Sequence, residues 1–336
     1  LQTKAIILSA GFGKRLLPLT ETTPKPLLPI AGIPIIRRTI NNLASFGIKE
    51  IVINLHHLAD EIKRALTTPP PGIKIHFTEE AEILGTAGGI KGAQHILGGG
   101  DFIVINSDII AEIDFKDLIK QHKEKEALAT MVLRQDPDVE KYGPIETDNN
   151  GKIRRLLNKP DLDNNIQLAK YMFTGVQVMS PRFLERIPKT GYSDISKDIY
   201  PKLVAAEEGL YGYVTKGYWT DIGTPETYLR ANFRELAKSS ESFPNRKGIT
   251  PPVYIGKDCQ IGENVKIGPN CLIGNNCSIK SGAKISETVI MDGTTIGAGA
   301  EVISSVIGNN VSIETNSQIF KKIIAVKGGN TTSHSY

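Results

Sequence analysis

The amino-acid sequence predicts an α/β protein: a doubly wound, mostly parallel sheet with antiparallel additions, followed by a parallel β-helix. Three observations carry that prediction. From Lys4 to about Leu133, short apolar runs alternate with helical stretches, the pattern of strands joined by crossover helices. From Arg134 to Ala237 the pattern changes to hairpins, single strands and helices. Beyond Val253 an aliphatic residue recurs every six positions. The stretch 239–252 is rich in Ser, Pro, Asn and Gly and reads as a linker. The expected domains are therefore 1–238, a linker at 239–252, a β-helix over 253–327 and a polar tail, 328–336, disordered unless a partner subunit holds it.

The first strand, Ala5 to Ser9, gives way at once to small residues and glycines. Gly11 and Gly13 let the backbone pass close to a bulky anion, since glycine has no side chain in the way and takes dihedrals other residues avoid. Arg15 and Lys25 add positive charge, and Pro24 and Pro26 stiffen the backbone around Lys25. That combination suits a triphosphate. Two other phosphate loops do not fit. A dinucleotide fingerprint needs a third glycine where Leu16 stands and an acidic residue where Ile51 to Ile53 runs into Asn54; a Walker loop needs Ser or Thr where Arg15 stands.

Further strands are expected at Glu50 to Asn54, Ile73 to Thr78, Asp101 to Asn106 and Ala127 to Leu133, with helices at Ile35 to Phe46, Leu58 to Leu66, Gly88 to Ile96 and Phe115 to Lys125. Ligands of such sheets sit beyond the C-terminal strand ends, where Ser9 to Lys25, Glu79 to Gly89 and Asn106 to Asp108 fall. Pro144 to Thr147 and Lys152 to Leu157, joined by Asp148-Asn149-Asn150-Gly151, read as a hairpin. Tyr171 to Met179 is another strand, Pro181 to Ile187 and Asp194 to Glu208 are helices, Leu210 to Asp221 holds two short strands, and a helix from Pro225 closes this part.

In the repeat, Ile255, Ile261, Ile267, Ile273, Ile279 and Ile285 lead, after a five-residue step, to Ile290, Ile296 and Val302, and after another to Ile307, Ile313 and Ile319. A six-residue period builds a triangular coil with each aliphatic side chain stacked inward, and the length leaves room for three to four coils. Cys259, Cys271 and Cys277 fall on that lattice as small wall residues, which argues against a disulfide framework or a zinc site. The repeat resembles the hexapeptide-repeat, left-handed β-helix family.

A net charge of +4, with no basic run interleaved with aromatics, argues against nucleic acid or an anionic membrane as partner. No stretch is apolar and long enough to cross a bilayer, and the apolar start is too short for a signal peptide, so a cytoplasmic protein is expected.

Asp108 follows a buried strand and Asp221 lies in Gly217-Tyr-Trp-Thr-Asp-Ile-Gly-Thr-Pro225; two carboxylates from separate strand ends suit a divalent cation shared with phosphate oxygens. Lys159, in Leu157-Asn-Lys-Pro160, is a second phosphate-facing lysine at a strand end. Together, Gly11 to Leu16, Pro24 to Leu27, Asp108, Lys159 and Asp221 resemble the motifs of the sugar-1-phosphate nucleotidylyltransferases, with Lys14 where threonine is usual. The resemblance covers Lys4 to Ala237. It implies a Rossmann-like domain, Mg²⁺ on Asp108 and Asp221, and in-line attack of a sugar phosphate on a nucleoside triphosphate. Arg15, Lys25 and Lys159 are then the catalytic cations. The nucleotide-binding positions implied are Leu8, Ala10, Gly11, Gly13, Lys14, Arg15, Lys25, Glu80, Gly85, Thr86, Ser107 and Asp108. Those for the sugar phosphate are Gly143, Asn158, Lys159, Thr174 and Gly175.

Leu84-Gly-Thr-Ala-Gly88 and Asn106-Ser107-Asp108 look most like the guanylyltransferase branch. Glu80 stands where related uridylyl and thymidylyl enzymes tend to carry Gln; a carboxylate accepts from guanine N1–H and N2–H together, so GTP is expected. Mannose 1-phosphate is the default sugar. Two departures put the sugar in question: Asn158 stands where the family has Glu, and Phe173-Thr174-Gly175 where it has Asn-Ala-Gly. Other readings are a uridylyl- or thymidylyltransferase, a non-catalytic sugar-nucleotide-sensing subunit, and an acyltransferase, the last opposed by the lack of histidine in 253–327. A homo-oligomer through the β-helix is expected.

Overall fold

In the computed structural model the described residues are 3–160, 167–238 and 247–336, so the linker expectation for 239–246 lies outside them. By their contacts they form two compact units, 1–11 with 36–219 and 12–35 with 220–336.

The first unit is built on strands β1 (Lys4–Leu8), β2 (Glu50–Leu55), β3 (Lys74–Glu79), β4 (Phe102–Asn106), β5 (Ala129–Arg134), β6 (Ile145–Thr147), β7 (Ile153–Leu156), β8 (Ala169–Met179) and β9 (Leu210–Val214). Their order is β7-β6-β8-β4-β1-β2-β3, with β5 on β8 and β9 on β5. The centre, β4-β1-β2-β3, is parallel, whereas β8 runs antiparallel to β4, β5 and β6. The sheet is thus doubly wound and mixed. Ile6, Val52, Phe102 and Val104 are buried, as expected of strands covered on both faces. The register sets Leu8 opposite both Asn54 and Asn106, which aligns three C-terminal strand ends.

Helices α1 (Ile35–Ser45), α2 (Ala59–Ala65), α3 (Gly85–Gly92) and α4 (Phe115–Glu124) fall within the expected stretches or close to them. Asp114 explains where α4 starts: its Oδ1 accepts from the backbone N–H of Lys116 and Asp117 at 3.0 and 3.1 Å, an N-cap. The helix expected from Asp194 is instead a π-helical turn, Ile195–Ile199, followed by an α-helix, Tyr200–Ala205.

In the second unit, three parallel faces stack coil on coil, the arrangement of a left-handed β-helix. One face holds Val253–Ile255, Cys271–Ile273, Thr288–Ile290 and Val306–Ile307, and the inward isoleucines and the cysteines form its core. Burial pushes the Cys271 and Cys277 thiols up to about 11, so both are inert wall residues. Corners at Asn264, Asn270, Asn276, Asn310 and Asn316 have positive φ, which asparagine tolerates. The repeating glycine has a steric cause: a Cβ on Gly262 would lie 2.6 Å from the Ser281 backbone nitrogen on the next coil.

The contacts group one stretch differently from the linear order, and one expectation changes. Helix α5 (Pro225–Lys238) packs on the β-helix strands Cys271–Ile273 and Thr288–Ile290, and the Tyr228 hydroxyl donates to Pro29 O at 2.8 Å. Residues 12–35 and 220–238 therefore group with the β-helix, where the linear division 1–238 and 253–327 separates them. The polar tail is not disordered: strand β10 (Lys322–Lys327) turns through Gly328-Gly329, both at positive φ, into an antiparallel strand β11 (Asn330–Ser335). Two glycines in such a turn match the right-handed twist of the flanking strands.

Candidate active site

Within the first unit the end of β1 is held by a chain of polar contacts. Asn54 Oδ1 accepts from the Ser9 backbone N–H at 2.8 Å, and Asn54 Nδ2 donates to Glu80 Oε1 at 2.6 Å. Glu80 Oε2 accepts from the Leu84 N–H at 2.9 Å, which fixes the approach to α3. Glu80 is 8% exposed, and each carboxylate oxygen keeps a further lone pair. Gly89 completes this arrangement, because a Cβ there would lie 2.5 Å from Asn54 Nδ2 and 2.8 Å from Glu80 Oε1. Sequence reading missed Asn54 and Gly89; the available signal was a lone amide ending an apolar strand.

Gly85 sits at φ +75 with Ser193 O where its Cβ would be. The Thr86 hydroxyl donates to Asp194 Oδ2 at 3.2 Å and accepts from the Ile195 N–H at 2.9 Å, so it ties α3 to the π-helical turn. Ser107 is buried and its N–H donates to Leu8 O at 3.0 Å, which sets the half-buried Asp108 at the end of β4. Ala10 is half-buried, and Gly11 has open space where a Cβ would stand.

On the antiparallel side, Leu156 and Lys159 exchange backbone hydrogen bonds of 2.8 and 2.9 Å across a two-residue turn, with Leu157 at φ 52 and Asn158 at φ 62. Asn158 thus stands at a left-handed position where asparagine is favoured, a local reason for an amide at this point. Lys159 is exposed beside it. Gly143, at φ 86, lies under the Leu157 side chain, whose Cδ2 would be 2.2 Å from a Cβ there. Gly175, at φ 78, leaves room for Asn106, whose Nδ2 would be 2.8 Å from a Cβ.

Thr174 is corrected by the structure. It is fully buried, its hydroxyl donates to Val132 O at 2.8 Å, and its carbonyl accepts from Trp219 Nε1 at 2.7 Å. Its side chain is spent on the sheet and is not offered to a sugar. Instead it positions Trp219, which also meets Tyr142 edge-on at 6.3 Å and Arg134 at 5.6 Å. That cluster was missed, although Trp219 is the only tryptophan in the chain.

In the second unit, Gly13 has φ 65 and its carbonyl accepts from the Thr20 hydroxyl at 3.1 Å; a Cβ would lie 3.0 Å from Thr20 Cγ2 and 3.2 Å from Lys25 Cβ. The loop therefore folds back on itself only with glycine there. Lys14 lies over the Phe12 ring at 5.6 Å, and its ammonium is exposed. Arg15 NH2 is 3.8 Å from Asp221 Oδ2, a partly exposed pair. Gly223 makes this possible: a Cβ would fall 2.3 Å from Asp221 Oδ2 and 2.7 Å from Arg15 NH2.

Among the described residues no three His, Cys, Asp or Glu side chains gather as a cation cage.

The comparisons agree in kind. A family model described as nucleotidyl transferase matches residues 4–238, and one described as GMPPB C-terminal domain matches 249–333. Mannose-1-phosphate guanylyltransferase 1 of Arabidopsis thaliana is 33% identical over 315 residues, covering 91% of this chain and 86% of that protein. UTP–glucose-1-phosphate uridylyltransferase of Synechocystis is 31% identical over 338 residues, covering 90% and 87%. The crystal structure of HddC from Yersinia pseudotuberculosis complexed with GMP-PN superposes with a TM-score of 0.59 at 28% identity, over 70% of this chain and all of that one.

Proposed function

This chain belongs to the nucleotidyl transferase family, and from that premise we propose that it joins GTP and mannose 1-phosphate to give GDP-mannose and pyrophosphate. The carrying observation is Glu80, an anionic acceptor held in one orientation by Asn54 and the Leu84 N–H, with lone pairs left for the adjacent N1–H and N2–H of guanine. The name of the Arabidopsis relative and the ligand of HddC support the same base and, for the former, the same sugar.

A phosphate oxygen of the sugar phosphate attacks the α-phosphorus in line, the bond to the bridging α–β oxygen breaks, and pyrophosphate leaves. The attacking oxygen is already anionic, so alignment and charge neutralisation supply the acceleration and no general base is needed. Arg15 and Lys25 hold the triphosphate and the leaving pyrophosphate; Lys159 orients the sugar phosphate. Mg²⁺ held by Asp108 and Asp221 would neutralise phosphate charge. Leu8, Ala10, Gly11, Gly13 and Lys14 line the triphosphate path, Gly85, Thr86 and Ser107 the nucleoside, and Gly143, Asn158 and Gly175 the sugar phosphate.

The Synechocystis relative favours a second reading, transfer of uridylyl to glucose 1-phosphate. Pyrophosphate release with Mg²⁺, measured for four nucleoside triphosphates against mannose 1-phosphate and glucose 1-phosphate, decides between them. Fastest release is expected for GTP with mannose 1-phosphate; faster turnover of UTP with glucose 1-phosphate selects the other reading, and silence across the matrix rejects both. A cytoplasmic homo-oligomer assembled through the β-helix belongs to the same proposal. Light scattering that returned the mass of a single chain would remove the oligomer.

A further inference from the structure

Leu157 is out of place by every local rule. It occupies the first central position of a two-residue turn at φ 52, where a left-handed backbone is strained for a side-chain-bearing residue and Gly, Asn or Asp is the usual choice. It is apolar and yet 49% exposed. Asn158, the other central residue, obeys the rule that Leu157 breaks. The Leu157 side chain does not simply hang in solvent. Its own N–H donates to Pro144 O at 2.9 Å, and its Cδ2 covers Gly143 so closely that a Cβ there would be 2.2 Å away. A strained backbone therefore holds an apolar surface beside Gly143 and two residues before Lys159. Strain of this kind collects where a ligand needs it.

We propose that Leu157 is a specificity-determining residue, the apolar wall against which one C–H face of the pyranose ring of the sugar 1-phosphate packs while Lys159 holds its phosphate. This rests on the reading of Gly143, Asn158 and Lys159 as the sugar-phosphate side of the site. Pyranoses have faces of C–H groups between their hydroxyls, and a leucine meets such a face without demanding a hydrogen bond. The neighbouring Asn158 has no negative charge to offer the hydroxyls, and the Thr174 hydroxyl is committed to Val132. Shape and apolar contact then take a larger share of sugar selection than carboxylate hydrogen bonds do.

The test uses the full chain and two variants that relieve the backbone strain. Leu157→Gly removes the wall; Leu157→Asn keeps its approximate size and removes its apolarity. Glycine and asparagine accept positive φ, so both proteins are expected to melt at or above the parent temperature. Their KM for the sugar 1-phosphate should rise by about fivefold to thirtyfold, the worth of one apolar side chain contact, with the KM for the nucleoside triphosphate within about twofold of the parent. A side chain that only covers Gly143 would move the melting temperature and leave that split absent. Sugar KM values within about twofold of the parent in both variants overturn the proposal. Lys159→Met separates this from failure of the underlying reading: if it too leaves the sugar KM unchanged, the site is misplaced and the role of Leu157 falls with it.

Discussion

Gly223 shows how much of this chemistry is set by what a residue lacks. A methyl group there would press on Asp221 Oδ2 and on both terminal nitrogens of Arg15, at 2.3, 2.7 and 2.8 Å. All three atoms are ends of side chains, so the fold can yield and the charges must move. Gly223→Ala is therefore expected to leave the melting temperature within about 2 °C and to lower kcat/KM roughly tenfold to a hundredfold, the cost of displacing aligned groups by about 1 Å. Thermal melts beside steady-state rates check it; a stable variant with full activity would separate Arg15 and Asp221 from the reaction. At this scale Arg15, Lys25, Asp108, Lys159 and Asp221 are singled out in sequence because they stand in stiff or small-residue contexts, and the roles given them belong to the proposal. The inward hydrogen bond of Thr174 was not legible, since a hydroxyl that donates to a strand carbonyl reads the same as one that faces a ligand. Asn54 was visible as an oddity, but its tie to Glu80 joins residues 26 positions apart, a pairing that only strand register reveals.

Helix α4 carries the clearest pH sensitivity among the elements. Its His122 is 1% exposed, and its Nδ1 lies 2.9 Å from the Thr130 hydroxyl on β5. Burial pushes the imidazole below its ordinary value; the Asp101 carboxylate, 3.8 Å from Nε2, opposes this, while Lys123 and Arg182 reinforce it. The folded protein thus keeps His122 neutral where the unfolded chain takes up a proton. Stability from this source is complete above the unfolded value of about 6.5 and is lost as pH falls toward the folded one, at up to about 1.36 kcal/mol per pH unit. Urea unfolding at about pH 7.5 and 5.5, spanning the free imidazole range, should show a smaller loss in His122→Gln than in the parent, and equal losses would place the sensitivity elsewhere. Elements of this type were readable as helical stretches set between apolar runs, with the Asp114 cap added by the structure. Strand β11 was not, because Asn330 to Ser335 is exposed throughout and has no apolar alternation to announce it. The Gly328-Gly329 pair that makes its turn was read only as part of a polar tail.

At the scale of the whole molecule, the linear order of the chain and its contacts give two different divisions. Family models divide it at about the linker, 4–238 and 249–333, which suggests an autonomous catalytic domain with an added β-helix. The contacts divide it differently, because the loop that bears Arg15 and Lys25 and the helix α5 both pack on β-helix strands. Leu19 and Leu28 of that loop are buried, as are Tyr228 and Leu236 of α5, and Leu19 Cδ1 would be 3.2 Å from a Cβ on Gly308. The Glu21–Lys327 ion pair, 3.2 Å and partly exposed, adds little by comparison. Each apolar side chain returned to water costs about 1.5–3 kcal/mol, so several together exceed what a marginally stable fold can lose. A chain ending at Lys238 should accordingly be insoluble, or soluble with pyrophosphate release at least about 100-fold below the full chain, since the loop proposed to hold the triphosphate would lose the surface that shapes it. Rates measured at equal concentrations of folded protein, with circular dichroism to certify the fold, provide the comparison. A soluble 1–238 chain turning over within about threefold of the parent would make the β-helix dispensable to the phosphate loop, and the packing of Leu19 and α5 would then serve stability alone.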